Sequence, residues 1–494
     1  MFITTVLDKM DARFPKREAL VCGGKRLTFH QLKEQTYNFS KNLYAGGIGK
    51  GDTVGILLPN CVEYAACFIA PLRIGAISVP LNPRYSRLEL EAIFRDCKLA
   101  ALITTAKQLE VVEPLVRSLR SFKTLIVNYH LTPKQSFRQG LKIGDTKSLK
   151  DMLSTATGEI EMPPICDEDD AVYMYTSGTT GPPKGVILTH GIIERRGENT
   201  RNLNITSDDK CYTLGGLSHN AKLFIGLVWS LYLGMTFYTD TKFHPEQVLR
   251  RLTSFKISFF HASPFHFGVL ANWEGFKEIP KLPFLKLCLA SGNAVSMNIA
   301  QKFQERFGIG ITENYGITEA GGLCTDGVLQ PNVQMKIIDE NGHKLENNQV
   351  GEVIVKGPGK AKGYLHRPQL TAKVFKGGWF YTGDLGKTDE MGRLHIVCRK
   401  KNLIVIDGEE IYPGEIQEVL RSHPHVQDAL IRKHDGKGLI AFVVLNTPCT
   451  APDLLEFCRE RLTVRKVPHV IEICEDLPYL WKEAIERNEF NFLS

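Results

Sequence analysis

From Thr28 to about residue 160 this chain alternates helical and strand signals, and that alternation limits its possible folds more than any other feature. Thr28 and Gln31 stand three apart ahead of Leu32, Phe39 and Leu43, a capping-box start to an amphipathic helix that Gly46-Gly47 stops. Gly51-Asp52 leads into a short apolar strand, Val54 to Leu58, closed by Pro59-Asn60. The spacing then predicts a helix from about Val62 to Arg73, a strand at Ala76–Val79, a helix over Glu89–Ala101 and a strand over Ala101–Thr104. The pattern resumes from Thr213 to about Gly308, with helical Phe243–Leu252 and strands at Ile257–His261 and Leu285–Ala290. Strands that alternate with helices pair in parallel, so the expected class is α/β, with parallel-rich sheets covered by helices.

After Val333 the pattern changes. Short strands at Met335–Ile338, Gly351–Lys356 and Arg393–Val397 are separated by Gly/Asp turns, which predicts a β-rich subdomain at about 327–401. The remainder reads as a small α/β unit, with helix Pro413–Arg421, strands Asp428–Arg432 and Ile440–Val444, and helix Pro452–Leu462. A chain of 494 residues is too long for one core. We expect an N-terminal domain over 1–401 and a small, mobile C-terminal lid domain over 402–494.

The net charge of +7 is modest at this size, and Arg195-Arg196 and Lys400-Lys401 are too short to mark a nucleic-acid surface. Twelve cysteines are scattered without a C-x-x-C pair, which argues against structural zinc and a disulfide framework. The first residues meet charge within eight positions, and the longest apolar stretches, such as Leu223–Leu233, fall short of a membrane span. A cytoplasmic protein with reduced thiols, no membrane span and no nucleic-acid partner is the expectation.

Between Tyr175 and His190 lies a segment unsuited to helix or strand. Hydroxyls at Thr176, Ser177, Thr179 and Thr180 alternate with Gly178, Gly181 and Gly185, Pro182-Pro183 stiffens the approach, and Lys184 follows. Glycines let backbone N–H groups turn toward an anion, hydroxyls donate further hydrogen bonds, and the ammonium adds charge. Ala171-Val172 before it and Val186-Ile187-Leu188 after it read as strands anchoring the loop. The spacing fails the Walker A pattern, since no Ser or Thr follows the lysine. A loop that wraps polyphosphate is the reading, against a plain Gly/Ser/Thr surface loop.

This segment resembles the signature loop of the adenylate-forming superfamily, which includes acyl- and aryl-CoA synthetases and stand-alone adenylation enzymes. Partner motifs follow in the superfamily's order. Ala290-Ser291-Gly292-Asn293-Ala294 resembles its adenine-side turn. Asn314-Tyr315-Gly316-Ile317-Thr318-Glu319 resembles the motif whose Tyr stacks on adenine, whose Thr meets phosphate and whose Glu holds Mg²⁺. A carboxylate beside a hydroxyl on a Gly turn suits a hard cation that takes most of its ligands from phosphate and water. Trp379 to Asp384 resembles the ribose motif, with Asp384 accepting from both hydroxyls. The run from Arg399 resembles the hinge and the opening loop of the C-terminal domain; Arg399 would meet the ribose and Gly408 would admit a thiol arm. Lys466-Val467-Pro468 and Leu477-Pro478 resemble the approach to the catalytic lysine, which makes Lys482 its candidate.

Three departures stand out. The superfamily pattern Pro-x-Thr-x-x-Gly-Lys is replaced by Pro478-Tyr479-Leu480-Trp481-Lys482, about two residues shorter and with Trp481 for glycine. Lys482 is alternatively a solvated lysine on an amphipathic helix, Trp481 to Arg487. The link from Glu319 to Asp339 is short, keeping only a turn at Gly327–Asn332 beside the acyl pocket. Asn402 stands where the hinge acid is usual, and asparagine tolerates the backbone angles a hinge visits.

His219, in Gly-Leu-Ser-His-Asn-Ala-Lys, sits where the superfamily lines its acyl pocket; the alternative is a packed, hydrogen-bonded histidine. Asn220 could reach a ring hydroxyl, Ala290 and Gly316 would complete the pocket, and Phe259–Pro264 with Asn293 could shape an apolar slot. Lys222 is expected to face solvent, with contact to a second carboxylate as the alternative. The aspartate that grips an α-amino group in amino-acid activators is absent. The resemblance thus implies ATP-dependent activation of a fatty-acyl or aryl acid as acyl-AMP. Transfer would follow to a thiol, that of CoA or of the phosphopantetheine on an acyl or peptidyl carrier protein. A non-catalytic acyl- or nucleotide-binding homologue and a stand-alone amino-acid adenylation domain are the alternatives.

Overall fold

The computed structural model describes residues 1–129, 145–156, 158, 161, 163–176, 183–199, 203–275, 281–406, 409–434 and 438–475. Two large sheets carry the N-terminal part. In the eight-stranded sheet, Thr53–Leu57, Ile77–Pro80, Ala101–Thr105, Thr124–Asn128 and Asp145–Ser148 pair in parallel, and Ile77–Pro80 pairs in parallel with Asp170–Thr176. In the nine-stranded sheet the parallel set is Glu18–Cys22, Thr236–Thr239, Lys210–Thr213, Phe259–Ala262, Leu287–Ser291 and Ile311–Ile317.

The sheets are mixed at their edges. Asp170–Thr176 returns antiparallel as Lys184–Thr189, and Ile311–Ile317 returns antiparallel as Gly321–Thr325. These two hairpins carry the proposed phosphate loop and Thr318-Glu319 at their turns. Parallel strands need long crossovers, whereas an antiparallel hairpin can project a short loop past the sheet end. Both motifs expected to meet nucleotide therefore lie between strands that depart from the parallel pattern.

The predicted start of the helix Phe29–Ala45 is present as a full capping box between Thr28 and Gln31. Its inward face buries Phe29, Leu32, Phe39 and Leu43 completely, against the equally buried helix residues Tyr64 to Leu72. Each such aliphatic or aromatic side chain contributes roughly 1.5–3 kcal/mol. A five-stranded antiparallel sheet forms the β-rich part, with Gln334–Ile338, Gly351–Lys356, Trp379–Thr388, Phe375–Lys376 and Leu394–Arg399. The C-terminal unit has its own core around Ile411, Ile416, Leu420, Ala441 and Leu454. Its three-stranded sheet is formed by Val426–His434, Gly438–Leu445 and Val470–Cys474, packed with helices Pro413–Arg421 and Ala451–Arg459. Asn402 ends a 3₁₀ turn, Lys400–Asn402, and is not at positive φ.

Among the described residues of the large domain three histidines are buried, and burial is the main cause that disfavours their charged form. His190 is pushed down to about 4 and His266 to about 3, and His261 lies well below the usual range. In the unfolded chain each titrates near 6.5. A depressed folded pKa means stability that is complete above about pH 6.5 and drains away as pH falls toward the folded value. The unfolding free energy from urea titration should therefore be level from pH 8 to 7 and decline between 7 and 5, by up to about 1.4 kcal/mol per pH unit for each histidine, and the urea midpoint should fall with it. His190→Asn should make that decline shallower. A parent midpoint that does not change between pH 7 and 5 would contradict the assignment.

Candidate functional site

A single cavity brings together residues from chain segments more than a hundred positions apart. Its volume is about 240 Å³, and its wall includes His219, Asn220, Lys222, Ser291, Gly292, Asn314, Gly316 and Thr318. One side is a helix wound as a π-helix, Lys222–Val228. Such wide turns are rare and concentrate at functional sites. This one lies flat on the strand below, since a Cβ at Gly226 would come 2.7 Å from the Phe237 ring. The opposite side is the irregular hairpin Ile311–Ile317/Gly321–Thr325, whose register shifts between Tyr315 and Gly316. A Cβ on Gly316 would meet the Gly321 carbonyl at 2.7 Å, so glycine is required for that bulge.

Arg196, on the helix His190–Gly197, forms the roof. It is 5% exposed. Its Nε and Nη2 donate to the Gly359 carbonyl at 2.9 and 2.8 Å, Nη2 donates to the Thr318 carbonyl at 2.8 Å, and Nη1 donates to Asn220 Oδ1 at 3.1 Å. Burial pushes its pKa down to about 9 against the opposing influence of Glu319, so it stays charged at neutral pH. Gly321, at φ +80°, and Gly359 leave the space this side chain occupies.

Next to the cavity, Tyr364 links two of the expected nucleotide residues. Its hydroxyl donates to Glu319 Oε1 at 2.7 Å, and Lys184 Nζ lies 5.8 Å from the centre of its ring. The strand Gly363–Tyr364 pairs with Val186 and Ile187, which places it alongside the base of the loop. Thr176 and Lys184 face one another as the last pair of that hairpin. Glu319 fits a magnesium ion that draws its other ligands from phosphate and water, because Tyr364 holds one carboxylate oxygen and the other is the one a cation would take. No cluster of three or more His, Cys, Asp or Glu that could hold a metal occurs among the described residues.

Asp384 is held from both sides. Tyr315 donates its hydroxyl to Oδ2 at 2.6 Å, and Arg399 Nε lies 2.8 Å from Oδ1. Burial raises the Asp384 pKa, while Arg399 and the Tyr315 hydrogen bond oppose the rise. Arg399 also donates to the Thr382 carbonyl at 3.2 Å. Tyr315, Asp384 and Arg399 thus form one connected group beside the cavity-lining Gly316.

The structure also corrects several expectations. Ala290 is buried in the core cluster with Phe260 and Cys288, and the cavity wall begins one residue later, at Ser291. Asn293 is exposed and lies off the wall. Phe259 and Phe260 point into the cores, and of Phe259–Pro264 only Ser263 lines the cavity, so no apolar slot forms there. Lys222 does not face solvent: it is 8% exposed and on the wall. His261 is neutral and hydrogen-bonded to Ser291 Oγ at 2.7 Å, behind the wall. Ser177, Gly178, Thr179, Thr180, Gly408 and Lys482 lie outside the described residues. Arg196 and Tyr364 had no individual sequence signal.

With the geometry in hand, comparison with known proteins is informative. The AMP-binding enzyme family matches residues 7–365, and the AMP-binding enzyme C-terminal domain matches residues 415–479. A long-chain-fatty-acid–CoA ligase of Bacillus subtilis (strain 168) is 31% identical, over 96% of this chain and 91% of its own length. Among solved structures, the O-succinylbenzoate Coenzyme A synthetase of Bacillus subtilis, in complex with AMP, superposes with a TM-score of 0.82. It is 27% identical and covers 99% of this chain and 98% of that one. A benzoate CoA ligase from Burkholderia xenovorans LB400 shares the fold, with a TM-score of 0.86 at 20% identity and 97% coverage of both chains.

Proposed function

Because this chain belongs to the AMP-binding enzyme family and is an adenylate-forming acid–thiol ligase, we propose that it activates an aryl or short acyl acid and passes it to CoA. The observation that carries the choice of acid is the cavity. At about 240 Å³ it lies below the roughly 300–1,000 Å³ of pockets for drug-sized ligands. Its wall carries polar groups at Arg196, Asn220 and Lys222, which suits a small acid better than a long alkyl chain.

In the first half-reaction a carboxylate oxygen of the acid attacks the α-phosphorus of ATP. The bond from that phosphorus to the bridging oxygen breaks, pyrophosphate leaves, and acyl-AMP remains. His219 and Asn220 border the acid. Ser291, Gly292, Asn314 and Gly316 border the nucleotide, with Asp384 and Arg399 proposed to hold its ribose. The segment Thr176–Lys184 and Thr318 would position the phosphates, which is most of what phosphoryl-transfer catalysis requires. Magnesium, when bound at Glu319, would neutralise phosphate charge. In the second half-reaction the thiolate of CoA attacks the acyl carbon, the bond to the AMP oxygen breaks, and AMP leaves. Movement of the C-terminal unit about Asn402 would exchange Lys482 for the thiol arm, with Gly408 beside it.

Acid-dependent exchange of pyrophosphate into ATP tests this reading. Benzoates and short acids should support exchange, and CoA should then consume the acyl-AMP. Exchange with palmitate alone would overturn the small-acid assignment. Exchange with amino acids alone would favour a stand-alone adenylation domain, and consumption by carrier-bound phosphopantetheine but not by CoA would move the acceptor. ATP binding without exchange for any acid would favour a non-catalytic homologue. Asp384→Asn should raise the KM for ATP roughly 10- to 100-fold, the loss of a charged hydrogen-bond acceptor, with little change in the KM for the acid. Equal changes in both constants would contradict the ribose assignment.

A further inference from the structure

We propose that the acid carries a second anionic group at its distal end, gripped by Arg196 with Lys222 beside it. This rests on the cavity being the acyl site, as argued above. Every hydrogen bond of the Arg196 guanidinium among the described residues ends on a neutral oxygen, at Gly359, Thr318 or Asn220. A buried charge normally has a counter-charge, because removing it from water costs several kcal/mol. Among the described residues the opposing charge is Glu319, which acts on the guanidinium without making any of these hydrogen bonds, and they leave an N–H of Nη1 for a ligand.

The surroundings add donors and further positive charge. Lys222 is buried on the same wall, its chain laid against Gly215, where a Cβ would come 3.1 Å from Cε. Gly215 sits at φ +104°, a conformation that favours glycine, so the space along the lysine is built into the backbone. Lys222 is close enough to His261 and His266 to help hold both in their neutral form. Asn220 turns its carbonyl oxygen to Arg196, leaving its NH₂ as the group it offers a substrate. An alkyl tail placed against these groups would strip their water and give nothing back. A carboxylate would receive a charge-assisted hydrogen bond and two nearby cations.

The small volume adds a limit on length. The cavity of about 240 Å³ also includes the nucleotide-side residues Ser291, Gly292 and Asn314, so the acyl part is smaller still. A short dicarboxylic acid or a carboxylated aryl acid is the class this site selects.

The test compares acids that differ only at the distal end: glutarate against valerate, adipate against hexanoate, and phthalate isomers against benzoate and toluates. Pyrophosphate exchange is measured for each with the wild-type chain and with Arg196→Gln. The best diacid should exceed its monoacid partner roughly 100-fold or more in kcat/KM, since a site built to bond a polar group rejects the analogue lacking it. Arg196→Gln should erase that preference by raising the diacid's KM much more than the monoacid's. Monoacids that equal or exceed the diacids in the wild-type chain overturn the proposal without any variant. A loss of both series alike in a folded Arg196→Gln protein also overturns it, leaving Arg196 as a brace for Thr318 and Gly359. Silence toward every acid in both series removes the ligase reading itself, and this proposal with it.

Discussion

Glu319→Gln should slow acid-dependent pyrophosphate exchange roughly 10²- to 10³-fold, the loss expected when a preorganised charge contact is removed from a phosphoryl-transfer site. The substitution keeps the side chain's size and its ability to accept from Tyr364, so the hairpin turn at Thr318-Glu319 should fold as before. What disappears is the negative charge. With it goes the hard oxygen that would hold magnesium, and the carboxylate that favours the charged form of Arg196. The magnesium concentration for half-maximal rate should rise with the same substitution. Tyr364→Phe supplies the contrast: it keeps the charge and releases Glu319 Oε1, now held at 2.7 Å. Its expected effect is only about 10-fold, the worth of one charged hydrogen bond. Near-normal exchange in Glu319→Gln at limiting magnesium would remove Glu319 from the metal site.

The contrast between Glu319 and Tyr364 also shows which parts of the site a sequence can disclose. Glu319 is legible because its chemistry lies in a contiguous motif, a carboxylate one residue from a hydroxyl and three from a glycine. Tyr364 is not, because its role comes from a strand pairing with Val186 and Ile187 that joins positions nearly 180 residues apart. The helix after Thr28 was predictable from local signals, since a capping box and a single apolar face both act within one element. The antiparallel returns at Lys184–Thr189 and Gly321–Thr325 were not distinguished from the parallel pattern. Apolar strands look alike in either pairing direction.

Arg196 is the clearest miss. A doublet, Arg195-Arg196, on a short helix reads as surface charge, and Arg195 is indeed largely exposed, donating to the Pro358 carbonyl. Only helical rotation separates it from Arg196, which is turned inward under the Gly359 carbonyl. Lys222 was misassigned for a related reason. In an α-helical register its polarity predicts solvent, whereas the π-helix that begins there widens the turn and sets it against the cavity. Ala290 erred by one position: alternation along Leu287–Ser291 sends it into the core and Ser291 to the wall.

Lys482→Ala should separate the two half-reactions. Adenylation must bring the carboxylate of the acid against the α-phosphate, and two unit charges about 4 Å apart repel by roughly 4 kcal/mol at an effective dielectric of 20. Among the cations of the described part of the site, Arg196 and Lys222 line the cavity, Arg399 pairs with Asp384, and Lys184 lies over Tyr364 at the base of the phosphate loop. We propose Lys482 as the cation that meets the reacting pair, the role implied by the resemblance of its segment to the approach to the superfamily's catalytic lysine. Its removal should lower exchange roughly 10²- to 10³-fold. The second half-reaction, measured from supplied acyl-AMP and CoA, should keep close to its normal rate, because in the proposed mechanism the lysine is not used in that step. Arginine at 482 should restore little, since a planar guanidinium does not reproduce a compact ammonium between two oxyanions. Equal losses in both half-reactions would make Lys482 a structural residue of the C-terminal unit. Unchanged adenylation would remove it from the mechanism and leave the shortened Pro478–Lys482 segment without a catalytic role.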